Sequence, residues 1–167
     1  LTYTGRAQTL INAGSANGTG TIYYKVGTGS YGTSLPTATT AGTYTVYYKV
    51  VGDSNHNDVA EKSVSVTIAK ANNTLTLSES SGSYTYPTTG TFTVTENISG
   101  GKLSCTSSDK EVATCSISGT TVTVTPGTKE GAADLIIKSE ATENYNASQV
   151  THVATTMKGS LTSYTAN

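Results

Sequence analysis

The chain has 167 residues, with 10 Lys and Arg against 11 Asp and Glu, so its net charge is −1. A charge this close to zero gives no electrostatic attraction to nucleic acid or to an anionic membrane. No apolar run approaches the ~20 residues that a membrane-spanning helix needs. Thr (34), Ser (20) and Tyr (11) are abundant and Trp is absent, a composition that favours strands and turns and predicts an all-β chain with almost no helix.

Short segments of alternating apolar and polar residues follow one another along the chain, and each is an expected strand. The first has Ile22, Tyr24 and Val26 on one face, with Tyr23 and Lys25 on the other. The strand beginning at Gly42 repeats the pattern, and later segments have their apolar positions at Val64, Val66 and Ile68, at Leu75 and Leu77, at Phe92 and Val94, at Val122 and Val124, and at Leu135 and Ile137. Turn residues separate these segments at intervals typical of a β-sandwich.

The chain contains an internal repeat with an offset of 89 residues. Gly42 aligns with Gly131, and Lys49 with Lys138. The Asn-His-Asn phrase that begins at Asn55 aligns with the Asn-Tyr-Asn phrase that begins at Asn144. We therefore expect two tandem units, residues 1–70 and 71–156, and we interpret residues 157–167 as a tail or the start of a further segment. Because the chain begins at Leu1, we expect it to be a piece of a longer polypeptide.

The first unit resembles the immunoglobulin-like repeats of gut-bacterial surface proteins and of phage tail or capsid-decoration proteins. Its run from Gly42 to Val46, Gly-Thr-Tyr-Thr-Val, is similar to the strand entry in which a corner tyrosine precedes the core cysteine. Val46 stands at the position of that cysteine, so the resemblance implies no disulfide between the sheets of this unit. It implies an antiparallel β-sandwich.

The second unit resembles the group 2 bacterial immunoglobulin-like domain of intimin- and invasin-type adhesins. The similar stretch runs from Cys105 to Cys115, Cys-Thr-Ser-Ser-Asp-Lys-Glu-Val-Ala-Thr-Cys, and is followed by a Val-Thr strand. By this match Cys105 takes the position of a core Trp and Cys115 that of a Val. The match implies that both cysteines face inward, either as a disulfide or as two buried thiols. It also implies that Tyr84 and Tyr86, or a local collapse, fill the volume of the missing Trp.

A face of tyrosine and lysine side chains is the best candidate for binding. Tyr23 and Lys25 share a Tyr-Tyr-Lys-Val phrase with Tyr47 and Lys49, and in each copy these residues point away from the apolar face. If the strands are neighbours, the four residues form a ladder on which a sugar could stack. The alternative is that cross-strand tyrosine pairs only stabilise the sheet.

No pattern indicates catalysis, a metal or a cofactor. The segment from Asp53 to Asp58, Asp-Ser-Asn-His-Asn-Asp, begins like a calcium loop but lacks the required Gly and the final acidic ligand, so we interpret it as a turn. The two histidines, His56 and His152, fall in different units, one in a turn and the other in the last strand. We expect no enzyme activity and no cofactor.

The resemblances imply a structural or adhesive module, either of a bacterial cell-surface protein or of a phage virion appendage. Such a module acts as a spacer that displays a binding element, with neighbouring repeats of the same chain, surface glycans or host-surface proteins as partners. We expect an extracellular location, with the virion as the alternative. The alternative function is an accessory carbohydrate-binding module of a secreted enzyme. An oxidised cysteine pair would favour export, and a reduced pair a virion assembled in the cytoplasm.

Overall fold

A computed structural model describes residues 1–16 and 18–160. These residues form β-strands and no helix, which confirms the prediction of an all-β chain. They fold as two compact units, the first spanning Leu1–Ala71 and the second beginning at Asn72. The strands are β1 (Gln8–Thr9), β2 (Thr21–Val26), β3 (Thr37–Ala38), β4 (Gly42–Val51), β5 (Val59–Ile68), β6 (Leu75–Leu77), β7 (Ser81–Tyr86), β8 (Gly90–Asn97), β9 (Leu103–Ser107), β10 (Ala113–Ser118), β11 (Thr121–Pro126), β12 (Gly131–Ser139) and β13 (Ser148–Lys158).

In the first unit, β4 is the centre of a three-stranded antiparallel sheet with the order β2-β4-β5. Val46 lies opposite Val26 on one side and opposite Val64 on the other, so the alternating apolar residues share one face of the sheet. Val64, expected on the buried side, is 41% exposed, because β5 is an edge strand of this sheet. The opposing layer contains the two-residue pair of β1 and β3. The register between β4 and β5 shifts between Tyr48 and Val50, which is a β-bulge.

The core of the first unit is small. Its buried centre is Leu10, Val46 and Ile68, and partly buried side chains, including Tyr44, pack around it. The Tyr44 hydroxyl donates a hydrogen bond of 2.6 Å to the backbone carbonyl of Thr40. This is the contact that a tyrosine corner makes in immunoglobulin-type sandwiches, and it ties the start of β4 to the preceding loop.

The beginning and the end of the first unit lie side by side. Thr2 forms a parallel bridge with Ala69. The Tyr3 backbone N–H donates to the Ala69 carbonyl at 2.9 Å, and the Ala69 N–H donates to the Leu1 carbonyl at 2.9 Å. Two backbone hydrogen bonds therefore close this unit at its ends.

The second unit is a sandwich of two four-stranded sheets with the orders β10-β11-β8-β6 and β7-β13-β12-β9. All the pairs of named strands are antiparallel except one: β7 and β13 pair in parallel, from Ser81 with Val153 to Tyr86 with Lys158. The expected antiparallel arrangement is therefore incomplete at this pair, because alternation along a strand does not reveal the direction of its neighbour.

The core of the second unit contains a buried histidine. His152, on β13, is 0% exposed and stacks on Phe92 with 3.9 Å between ring centroids. Its ring nitrogens lie 2.9 Å from the Tyr84 hydroxyl and 3.1 Å from the Glu79 carbonyl. The apolar part of this core is Tyr84, Phe92, Val94, Val112, Ala113, Val122, Val124, Ala133, Leu135, Ile137 and Ala154.

Tyr84 and Tyr86 have different environments. Tyr84 is 7% exposed, and Tyr86, at the end of β7, is 42% exposed. A Cβ on Gly90 would lie only 2.5 Å from the Tyr84 ring, so that glycine makes room for the ring. Tyr84 is therefore a core residue, but β7 and the strand that carries Cys105, β9, lie at opposite edges of their sheet. The expectation that Tyr84 fills the volume of the missing Trp stays a prediction, and for Tyr86 it is wrong, because β7 ends there at the surface.

The last described strand extends further than the sequence suggests. Met157 and Lys158 belong to β13 and pair with Thr85 and Tyr86. The Lys158 backbone N–H also donates to a Glu130 carboxylate oxygen at 3.0 Å. The assignment of these two residues to a tail is thus corrected, because β7 provides pairing partners up to Lys158. Residues 159–160 follow the strand and are exposed, and residues 161–167 of the expected tail lie outside the described residues.

Candidate functional site

The pairing of β2 with β4 places the four candidate binding residues on one face of the first unit's sheet. Tyr23 lies opposite Lys49, and Lys25 lies opposite Tyr47. All four side chains are half-buried. The Lys25 ammonium lies 4.9 Å from the centre of the Tyr47 ring, a cation–π distance.

Tyr31 joins this face, although its position in the sequence did not indicate it. The loop after β2 contains Gly27, which has a positive φ of 52°, and it folds back so that Tyr24 and Gly32 exchange backbone hydrogen bonds of 2.8 and 2.9 Å. The Tyr31 ring then lies 4.6 Å from the Lys25 ammonium and 4.5 Å from that of Lys49. The glycine-rich sequence indicated a turn after β2, but it did not show which part of the sheet the loop would contact.

Glu61, on β5, is the second residue that sequence reasoning missed. Its carboxylate lies 3.1 Å from the Lys25 ammonium and accepts a hydrogen bond from the Tyr31 hydroxyl. These two contacts, that of Tyr31 first, hold the pKa of the Glu61 carboxyl below its usual value. We call the whole set the tyrosine–lysine face: Tyr23, Lys25, Tyr31, Tyr47, Lys49 and Glu61.

The opposite face of the same sheet borders an apolar pocket of about 390 Å³. It lies between the sheet and the chain segment that includes Ile11 and Gly14. The Gly14 N–H donates to the Tyr24 hydroxyl at 3.2 Å, which ties this segment to β2. The apolar lining is Ile11, Ile22, Tyr24, Tyr48, Val50 and Val64.

The segment that begins like a calcium loop uses its carboxylate to hold a turn. Asp53 accepts hydrogen bonds from the Asn55 backbone N–H at 2.8 Å and from the Thr19 hydroxyl, and its carboxylate lies 2.8 Å from His56 Nδ1. The Asn55 N–H, followed by His56, lowers the pKa of this carboxyl. Within residues 1–16 and 18–160, no group of three or more His, Cys, Asp or Glu residues is arranged to hold a metal ion.

Cys105 and Cys115 are joined by a disulfide, with 6.0 Å between their Cα atoms. Cys105 lies on β9 and Cys115 on β10, which are the edge strands of the two different sheets. The bond therefore links the two layers of the second unit along one edge. A cross-link of this kind stabilises a domain mainly by restricting its unfolded chain.

Reducing this disulfide should destabilise the second unit by about 2–3 kcal/mol, the chain-entropy value for a loop of roughly ten residues. The measurement is urea unfolding of the protein with and without dithiothreitol. The variant in which both cysteines are replaced by serine should show the same loss in either condition. An oxidised protein no more stable than the double variant would contradict the prediction.

No helix within the described residues is long and apolar enough to cross a membrane.

No protein-family model and no curated protein matches the chain. The resemblance of the second unit to group 2 bacterial immunoglobulin-like domains therefore remains a prediction. Among solved structures, the chain is similar to domains 1–6 of the surface layer protein SbsC, with 24% identity and a TM-score of 0.44 over 84% of this chain and 20% of that one. It is also similar to domains 4 and 5 of the S-layer protein SbsC, with 27% identity and a TM-score of 0.41 over 70% of this chain and 65% of that one. A TM-score below 0.5 does not establish a common fold, so the function has to be argued from the residues of this chain.

Proposed function

We propose that this chain is a non-catalytic structural module of a bacterial cell-surface protein. In this function, β-sandwich units that follow one another in the chain carry tension and hold another part of the protein away from the cell. The observation that carries the proposal is the parallel pairing of the first strand of one sheet, β7, with the last strand of the unit, β13.

Parallel pairing of the strands near the two ends determines how a unit bears load. The chain enters β7 at one end of this pair and leaves β13 at the opposite end. Pulling the ends of the second unit apart therefore makes β7 and β13 slide along each other. Six residue pairs, from Ser81–Val153 to Tyr86–Lys158, then share the force, and their hydrogen bonds have to break together. An antiparallel terminal pair would instead be opened one bond at a time.

The first unit has the same arrangement on a smaller scale. Its terminal contact is the parallel bridge of Thr2 with Ala69, held by two backbone hydrogen bonds of 2.9 Å. Because fewer bonds share the load, we expect this unit to open at a lower force than the second.

The disulfide supports an exported location. Such bonds persist in oxidising compartments outside the cytoplasm and are rare inside it. Cys105 and Cys115 are bonded, which favours a cell-surface protein over a virion assembled in the cytoplasm.

Single-molecule pulling on the two ends of the protein tests the load-bearing function. We expect two separate rupture events, the weaker from the first unit and the stronger from the second. In the oxidised protein the second event should release about 35 Å less chain than in the Cys105→Ser/Cys115→Ser variant, because the disulfide keeps about ten residues of ~3.5 Å each out of the extension. This difference in length identifies which event belongs to the second unit.

Two results would contradict the proposal. One is extension of the chain without a force peak, and the other is rupture of the second unit at a force no higher than that of the first.

A second candidate function is carbohydrate binding, as an adhesive surface or as an accessory module of a secreted enzyme. The observation that favours it is the clustering of three tyrosine rings and two lysines on one sheet face, with Lys25 and Lys49 close to the Tyr31 ring. Both versions of this function use the same face.

A further inference from the structure

We propose that the tyrosine–lysine face binds an acidic glycan, a sugar chain that bears carboxylates. In this proposal the Lys49 ammonium contacts a ligand carboxylate, and the rings of Tyr23 and Tyr47 support the sugar. The inference deepens the carbohydrate-binding candidate and does not depend on the load-bearing function.

The charges of the face do not balance. Two ammonium groups, those of Lys25 and Lys49, share it with one carboxylate, that of Glu61. Glu61 lies 3.1 Å from Lys25 and also holds the Tyr31 hydroxyl. The Lys49 ammonium lies 4.5 Å from the centre of the Tyr31 ring, and a ring attracts a cation without cancelling its charge. The Glu61 carboxylate also attracts Lys49, but less than it attracts Lys25. An anion placed beside Lys49 therefore complements the face.

The aromatic residues provide a surface for the apolar side of a sugar ring. Tyr23 and Tyr47 lie diagonally across β2 and β4, because Tyr23 pairs with Lys49 and Lys25 pairs with Tyr47. Diagonal neighbours are roughly 7–8 Å apart, so both rings can contact one ligand that also reaches Lys49. Tyrosine suits this position because its ring is apolar and its hydroxyl forms hydrogen bonds.

The shape of the site favours a sugar over a peptide. The residues lie on the face of a sheet, whereas a peptide that binds as an added strand pairs with a sheet edge. Lys25, whose side chain is 21% exposed, is already engaged by Glu61. Lys49 is thus the residue left to recognise the charge.

A pair of probes that differ only in charge tests the proposal. Binding of the complete protein to an oligogalacturonate is measured by titration calorimetry and compared with binding to the same oligosaccharide after full methyl esterification. We expect saturable binding of the acidic form, binding at least tenfold weaker for the ester, and a loss of affinity when the salt concentration is raised.

Variants locate the site. Lys49→Gln should weaken binding of the oligogalacturonate about tenfold, the effect of losing one ionic contact of about 1.4 kcal/mol. Glu61→Gln should strengthen it severalfold, because the competing carboxylate is gone. Lys62→Gln is the matched control: Lys62 follows Glu61 directly on β5 and pairs with Tyr48, whose side chain lines the pocket on the other face. This variant loses the same charge and should bind like the unchanged protein.

Equal affinity for the acid and the ester would overturn the acidic ligand and leave a neutral sugar as the candidate. Unchanged affinity in Lys49→Gln would overturn the contact of the ligand carboxylate with Lys49. Absence of binding to both probes, or a weaker Glu61→Gln variant with an unchanged melting temperature, would overturn the proposal itself. The binding titrations do not measure the rupture forces. Failure of the glycan proposal and failure of the load-bearing function can therefore be told apart.

Discussion

Replacing His152 by alanine should destabilise the second unit by about 3–5 kcal/mol, the range for truncating a large buried ring. The ring is 0% exposed and stacks on Phe92 at 3.9 Å, so its removal leaves a cavity. Urea unfolding of the protein should show a lower midpoint for the second unit only. Gln149→Ala, at an exposed position of the same strand, should stay within about 0.5 kcal/mol of the unchanged protein.

The hydrogen bonds of His152 determine which form of the ring the core accommodates. The Glu79 carbonyl can only accept, so Nδ1, at 3.1 Å from it, carries the proton. Nε2 therefore accepts from the Tyr84 hydroxyl at 2.9 Å. Burial, followed by the charge of Glu79 and a hydrogen bond with its side chain, raises the pKa of Tyr84 to about 12, so this hydroxyl remains protonated at neutral pH.

A second pair of variants separates the packing of His152 from its hydrogen bonds. His152→Phe keeps a ring against Phe92 but leaves the Tyr84 hydroxyl without this acceptor, which should cost about 1–3 kcal/mol. Adding Tyr84→Phe removes the hydroxyl that has lost this partner, so the double variant should recover part of the loss. A double variant as unstable as the sum of the two single changes would contradict the assigned hydrogen bond.

Ile68→Ala should unfold most of the first unit at 25 °C while the second unit remains folded. Ile68 is 1% exposed, and its truncation should cost about 2–5 kcal/mol. A core of a unit this small rarely supplies more than about 3–5 kcal/mol of net stability. The substitution therefore removes most of the first unit's free energy of unfolding. Two-dimensional NMR should show loss of the dispersed signals of residues 1–71 alone.

Ser65→Ala is the matched control for this change, because Ser65 lies on the same strand and is exposed. Its spectrum should retain the signals of both units. Retention of the first unit's dispersed signals in Ile68→Ala would contradict the prediction. It would show that the free energy of unfolding of this unit is larger than its few buried residues indicate.

Most of the interior could be predicted from the alternation of residues. Val46, Leu135 and Ile137 were expected to face inward and are 0% exposed. The candidate binding residues were also expected on one face, and the pairing of β2 with β4 brings them together. Both results follow from the period of two, because successive side chains of a strand point to opposite faces.

The remaining features depend on contacts between distant parts of the chain. The parallel pairing of β7 with β13 joins the two ends of the second unit, and nothing within either strand reveals its neighbour's direction. Tyr31 and Glu61 reach the tyrosine–lysine face from a loop and from another strand, and the alternatives for Cys105 and Cys115 could not be decided without the positions of two different sheets.

The sequence by itself thus determined the class of fold, the positions of most strands and, for most of them, the side that is buried, since these follow from local alternation and composition. The tertiary structure alone decided which strands are neighbours, how the ends of each unit are tied and which charges meet on the tyrosine–lysine face. Those features arise from packing and hydrogen bonds between segments far apart in the chain, and the periodicity of a single strand carries no information about its partner.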